Sequence, residues 1–176
     1  MGCSASISAA EAFDRVTITV MGLPGTGKTS IIDYLAGEYD PSLPPIETIG
    51  ISIKSVILHD REFIFLDTNG IYTHLDEWKD CIKKSDGVIL CFDALSLSCA
   101  YNMVKLMFTS VYDLIIQKNI PVLGIMTKTD NPDLQEYKLV QSIFKKSFQQ
   151  EKYSLQQIKR LDDKIFDIFQ WMEDNV

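Results

Sequence analysis

The sequence predicts an α/β fold in which a mostly parallel sheet carries helices on both faces. Three observations predict it. Strand-like runs alternate with stretches of helical periodicity along the whole chain. Two of the runs, Asp86 to Asp93 (DGVILCFD) and Pro121 to Met126 (PVLGIM), are almost continuously apolar, as strands covered on both sides are. A glycine-rich turn also stands between the first strand and the first helix.

Taken in order, a small-residue leader precedes Val16-Thr17-Ile18-Thr19-Val20, which alternates with period two and reads as a strand. After the glycine-rich turn, Ile31, Ile32, Tyr34 and Leu35 form an apolar helical stretch ending near Gly37. A loop with Pro41, Pro44 and Pro45 follows. Ile51 to Leu58 and Glu62 to Leu66 read as a strand pair around a His59-Asp60 turn. Met103, Met107, Val111 and Leu114 recur at helical spacing, as do Leu139 and Ile143, then Val140, Phe144 and Phe148. Ile165, Ile168, Phe169 and Met172 mark a last helix.

Composition narrows the function. The 176 residues suit one domain. The formal net charge is −7 with no basic block, which argues against nucleic acid and against a polybasic membrane anchor. The four cysteines form no CxxC pair, so neither zinc nor a disulfide framework is expected, and Cys81, Cys91 and Cys99 read as reduced core residues. With no signal-peptide pattern and no run of 18 apolar residues, the body is expected to be cytoplasmic.

Gly22-Leu23-Pro24-Gly25-Thr26-Gly27-Lys28-Thr29 matches GxxxxGK[ST] between a strand and a helix, the context that makes the motif credible. Such a loop turns main-chain N–H groups around a β-phosphate at a helix N-terminus. Lys28 then reaches the β- and γ-phosphates, and the hydroxyl of Thr29, next to Ser30, is placed for Mg2+. A second carboxylate should end a later strand to hold that ion through water, and Asp67 stands there.

Asp67-Thr68-Asn69-Gly70 resembles the DxxG element of P-loop GTPases, whose glycine N–H meets the γ-phosphate. Thr127-Lys128-Thr129-Asp130 resembles their NKxD element, with Thr127 where asparagine is usual, so one contact to the base or the loop is open. The resemblance implies that Asp130 accepts from guanine N1–H and its amine while Lys128 covers the base. Adenine has no such donor pair, which would cost ATP on the order of 2–5 kcal/mol. Pro45-Ile46-Glu47-Thr48-Ile49-Gly50 looks like switch I, implying Thr48 as a further Mg2+ ligand.

From Arg15 onward the chain is similar to small GTPases of the Ras superfamily, and within them to the Arf and Arf-like branch. The short spacing of 19 between Thr48 and Asp67 carries that finer likeness, with Trp78, Asn119-Ile120-Pro121-Val122 and Trp171 beside it. The resemblance implies a Ras-like P-loop NTPase fold: six strands, one antiparallel edge strand and about five helices. Residues 15–176 would be the G domain and 1–14 a leader. It implies bound GTP or GDP with Mg2+, held by Gly22, Pro24, Gly25, Thr26, Gly27, Lys28, Thr29, Ser30, Thr48, Gly70, Thr127, Lys128 and Asp130. Thr29, Thr48 and Asp67 would be the metal ligands, and Lys28, Thr48 and Gly70 the catalytic groups.

Effector, exchange-factor and activating proteins would dock on switch regions 41–50 and 67–80 of a monomer. Three departures stand out. Ile71 follows Gly70 where the family has the glutamine that orients water, so slow hydrolysis is expected, with His74 or Tyr72 as possible substitutes. Pro24 replaces a small loop residue, and Ile158-Lys159-Arg160 stands near where the family has a small-residue base loop.

Met1-Gly2-Cys3-Ser4-Ala5-Ser6 fits the N-myristoylation pattern at Gly2, with Cys3 placed for palmitoylation, so a membrane-associated switch of the trafficking type is expected. The alternatives are a GTP-binding scaffold without useful hydrolysis, a myristoylated Rab-like protein, or an ATP-using P-loop enzyme such as a small kinase.

Overall fold

The computed structural model describes residues 14–44, 46–71, 74–95, 97–130, 134–147, 152–159, 161–162 and 164–176. Gly2, Cys3, Pro45, Tyr72 and Phe148 lie outside the described residues. The element order is β1 (Asp14–Met21), α1 (Lys28–Leu35), β2 (Ile51–Leu58), β3 (Arg61–Thr68), α2 (Leu75–Lys84) and β4 (Gly87–Asp93). It continues with α3 (Leu97–Lys118), β5 (Val122–Thr127), α4 (Leu134–Ser147), β6 (Tyr153–Gln157) and α5 (Lys164–Glu173).

One six-stranded sheet has the order β2-β3-β1-β4-β5-β6. Only β2 and β3 pair antiparallel; the other neighbours run parallel. The expected Ras-like architecture, one antiparallel edge strand included, is therefore the observed one. The β2–β3 turn holds His59 and Asp60 at φ 45° and 65°, the left-handed pair that a two-residue hairpin demands.

The apolar strands are sorted by their period of two. Val88, Leu90 and Phe92 of β4 pack toward α2, α3 and α4, while Ile89 and Cys91 pack toward α1 and α5. β5 divides likewise, with Val122 and Met126 on the first side and Leu123 and Ile125 on the second. Phe92 meets Phe144 edge-on at 5.6 Å in one core, and Phe63 meets Phe169 at 5.0 Å in the other. Each such buried side chain contributes roughly 1.5–3 kcal/mol.

The carboxyl ends of β1, β3, β4 and β5 open onto one edge of the sheet, where ligands of open α/β sheets bind. At the opposite edge, where β4 and β5 begin, the Lys118 ammonium at the end of α3 donates to the carbonyls of Ile82, Lys83 and Ser85 at 3.0, 2.7 and 2.7 Å, capping α2.

No helix among the described residues is long and apolar enough to cross a membrane. Cys81 and Cys91 are free and buried, as expected, and burial pushes the Cys91 thiol up to about 12.

Candidate functional site

The glycine-rich loop follows β1 because β1 runs tight against β4. A Cβ on Gly22 would sit 2.4 Å from the Cys91 carbonyl oxygen, so only glycine lets the chain leave the strand there. Gly25 and Gly27 then take φ 73° and 86°, left-handed values that side chains disfavour, and the chain enters α1 at Lys28.

Lys28 is buried, and its ammonium donates to the main-chain carbonyls of Gly22 at 2.9 Å and Leu23 at 3.0 Å. Burial holds its pKa below the usual lysine value, a cost that the negative fields of Asp67 and Glu47 offset in part. A cation kept this way suits an anion entering the cavity of about 440 Å³ in front of it, which Pro24, Lys28, Glu47, Thr48 and Gly70 help to line.

The three expected metal ligands converge. The Thr29 hydroxyl donates to Asp67 Oδ2 at 2.6 Å, the Thr48 hydroxyl lies 3.1 Å from the same oxygen, and the two hydroxyls are 3.0 Å apart. Asp67 Oδ1 is buried without a hydrogen-bond partner. All three donors are oxygens, the set a hard divalent cation takes, and the orphaned carboxylate oxygen is what such an ion would satisfy.

Burial raises the Asp67 pKa, with the Thr29 hydrogen bond and the Lys28 charge opposing. A carboxyl whose folded value is raised adds stability when protonated, so that contribution is fully present below the ordinary value and lost as pH rises through the folded one. Asp67→Asn should therefore be more stable than the parent, free of metal and nucleotide, at pH 8, and the gap should shrink as pH falls toward 4. Urea unfolding in EDTA at both pH values checks it; a gap that does not change with pH would count against the charge argument.

Behind the loop lies a second cavity of about 430 Å³, lined among others by Gly27, Ser30, Tyr39, Thr127, Lys128 and Lys159. Thr127 is buried, with its hydroxyl 3.0 Å from the Thr26 carbonyl and 3.1 Å from that of Phe92. The loop contact left open by the missing asparagine is thus made, although one hydroxyl proton serves two acceptors. Lys128 sits at φ 57° and donates to the Gly25 carbonyl at 2.8 Å and to Asp93 Oδ2 at 2.7 Å. Asp130 follows at the exposed end of this loop. Ile158 and Lys159 line this cavity, and they belong to the segment read as standing near the place of the family's small-residue loop.

Gly70 approaches the glycine-rich loop so closely that a Cβ would fall 2.1 Å from Pro24 N. Its turn is fixed by Asn69 N–H donating to the Gly50 carbonyl at 2.8 Å and by the Trp78 indole donating to the Asn69 carbonyl at 3.1 Å. Trp78, fully buried in the core, thereby also ties α2 to this turn. Ile71 is 40% exposed and brings no polar group to the cavity. The His74 ring lies 2.8 Å from Glu77 on its own helix, which engages the suggested substitute.

Asp93 and Tyr39 were missed from sequence. Asp93 carries the same signal that marked Asp67, a carboxylate ending an apolar strand. Tyr39 carries none, since it enters through the path of the loop after α1.

Comparison with known proteins agrees with this fold. The profile of a family described as 50S ribosome-binding GTPase matches residues 17–128. ADP-ribosylation factor-like protein 6 of Caenorhabditis elegans is 25% identical over 135 residues, covering 75% of this chain and 71% of that protein. A shorter match, 38% identical over 65 residues, links 36% of this chain to 11% of the spermidine/putrescine import ATP-binding protein PotA of Mycoplasma genitalium. Among solved structures, the Arl6 BBS3 small GTPase of Trypanosoma brucei with the nucleotide analogue GppNp has a TM-score of 0.72 at 16% identity, covering 91% of this chain and 96% of that one.

Proposed function

Because the chain belongs to the GTPase family, and within it to the Arf-like small GTPases, we propose that it is a membrane-associated switch that hydrolyses GTP slowly. The observation that carries this reading is the meeting of Thr29, Thr48 and Asp67 on one oxygen beside the buried Lys28 ammonium.

In this reading the main-chain N–H groups of residues 22–30 and Lys28 hold the phosphates, and Lys128 and Asp130 hold the guanine base. Thr29, Thr48 and Asp67 hold Mg2+, which when bound neutralises developing charge on the phosphate oxygens. Thr48 couples 41–50 to the ion, and Gly70 couples 67–80 to the γ-phosphate, so nucleotide state is written into two surface segments. The strongly exposed Leu43, Ile46, Ile49 and Ile53 support a protein-docking role for the first of these and the adjoining β2 edge. Acyl groups on Gly2 and Cys3 would supply the membrane contact, two chains giving firmer anchoring than one.

Chromatographic identification of the nucleotide that co-purifies tests the core reading. GDP or GTP is expected; material that binds no guanine nucleotide with magnesium would overturn it.

Ile71 favours a second reading, a GTP-bound scaffold without useful turnover. Single-turnover hydrolysis separates the two. The parent is expected to be slow, and Ile71→Gln to be roughly 10- to 100-fold faster, because the amide can orient water where isoleucine cannot. An unchanged rate in the variant would clear Ile71 of responsibility, and turnover that is undetectable in both would favour the scaffold.

A further inference from the structure

Lys128 lines both cavities, the one facing the phosphate-binding loop and the one behind it, so its stem forms part of the wall they share. Lysine side chains carry much rotamer freedom, and a stem fixed across a boundary needs its ammonium held. Two acceptors hold it: the Gly25 carbonyl at 2.8 Å, and Asp93 Oδ2 at 2.7 Å. The Asp93 side chain is 10% exposed and that of Lys128 45%, so the carboxylate is the sheltered, immobile member of the pair. Its other oxygen, Oδ1, accepts the Leu95 N–H at 2.9 Å, which fixes the plane of the carboxylate at the end of β4.

We propose that Asp93 is a positioning residue for nucleotide retention: it pins the Lys128 ammonium to the glycine-rich loop and so sets the lysine stem as the wall against which the base rests. This rests on the guanine-nucleotide reading above. In this role Asp93 acts through Lys128, whose ammonium it holds. Release of GDP is then limited in part by the Asp93–Lys128 contact, which links the ends of β4 and β5 to the loop after β1.

Asp93→Asn separates this role from a local turn. The single amide oxygen keeps the Leu95 N–H, and the NH2 group then faces the ammonium donor to donor. GDP release from Asp93→Asn is expected to be about tenfold faster than from the parent, within the coupling range of side chains in contact. In a Lys128→Met background the same change is expected to alter release less than about twofold, since its target is gone.

A turn defect would act in both backgrounds, so equal effects overturn the proposal, as does an unchanged rate in the parent background. Asp93→Ser, which also keeps a turn acceptor without a charge, stands in if the asparagine variant folds poorly. A parent protein that retains no guanine nucleotide would instead sink the functional reading itself.

Discussion

Replacing Lys28 by methionine is expected to make the nucleotide-free protein more stable while abolishing tight nucleotide binding. The ammonium is held out of water with its hydrogen bonds directed at two main-chain carbonyls, and burial depresses its pKa. A lysine whose folded value is depressed costs the fold stability at neutral pH: the stability tied to this group is fully present only above the ordinary lysine value, and it is lost as pH falls through the folded one. Methionine has a similar length and no charge, so that cost disappears. The phosphates lose a buried cation at the same time, worth about 2–5 kcal/mol for groups of this kind, or roughly 30- to 5,000-fold in affinity. Urea unfolding without nucleotide should place the variant above the parent. Adding Mg2+ and GDP should reverse the order, because only the parent gains from ligand. A variant that is less stable than the parent in the absence of ligand would show that the two carbonyl contacts outweigh the burial cost.

The second large effect is expected at Gly70. An alanine Cβ there would lie 2.1 Å from Pro24 N, 2.5 Å from Leu23 C and 2.6 Å from Pro24 Cα, all main-chain atoms that cannot rotate away. The Asp67–Gly70 turn and the glycine-rich loop must therefore separate, at an overpacking cost of about 1–3 kcal/mol. Because Gly70 is read as the γ-phosphate contact, a non-hydrolysable GTP analogue should lose roughly tenfold or more in affinity, near the 1.4 kcal/mol that a factor of ten represents, while GDP loses less. Gly37→Ala is the control. Its φ of 72° would strain alanine, a cost that Gly70 lacks because its φ is not left-handed, yet nothing lies within 4 Å of the added atom. Calorimetric melting of both variants and titration of both nucleotides decide the matter. A Gly70→Ala variant that melts with the parent and keeps its affinity for the analogue would mean that the close approach to Pro24 does not govern the site.

These expectations show which parts of the site were legible in the chain. The motif Gly22 to Thr29 was readable because local backbone requirements are written as glycines, Asp67 because a carboxylate at the end of an apolar strand is chemically conspicuous, and Asp130 through the likeness of Thr127-Lys128-Thr129-Asp130 to a short known motif. β6 was not readable as a strand: Tyr153–Gln157 is short, polar and half-buried, with no period to announce it, and it forms by pairing with β5. Trp78 was legible as a mark of the Arf-like resemblance, but its hydrogen bond to the Asn69 carbonyl was not, since it depends on where α2 crosses the turn.

Sequence alone determined the layered α/β fold, the glycine-rich loop motif and the likeness to Arf-type GTPases, because period-two and helical patterns, glycine spacing and short motifs are local properties of the chain. Only the tertiary structure decided that Thr127 reaches the loop without asparagine, that Asp93 holds Lys128, and that Gly70 lies against Pro24. Those contacts join residues 101, 35 and about 46 positions apart, and long-range distances are set by how strands order within a sheet, which no local pattern encodes.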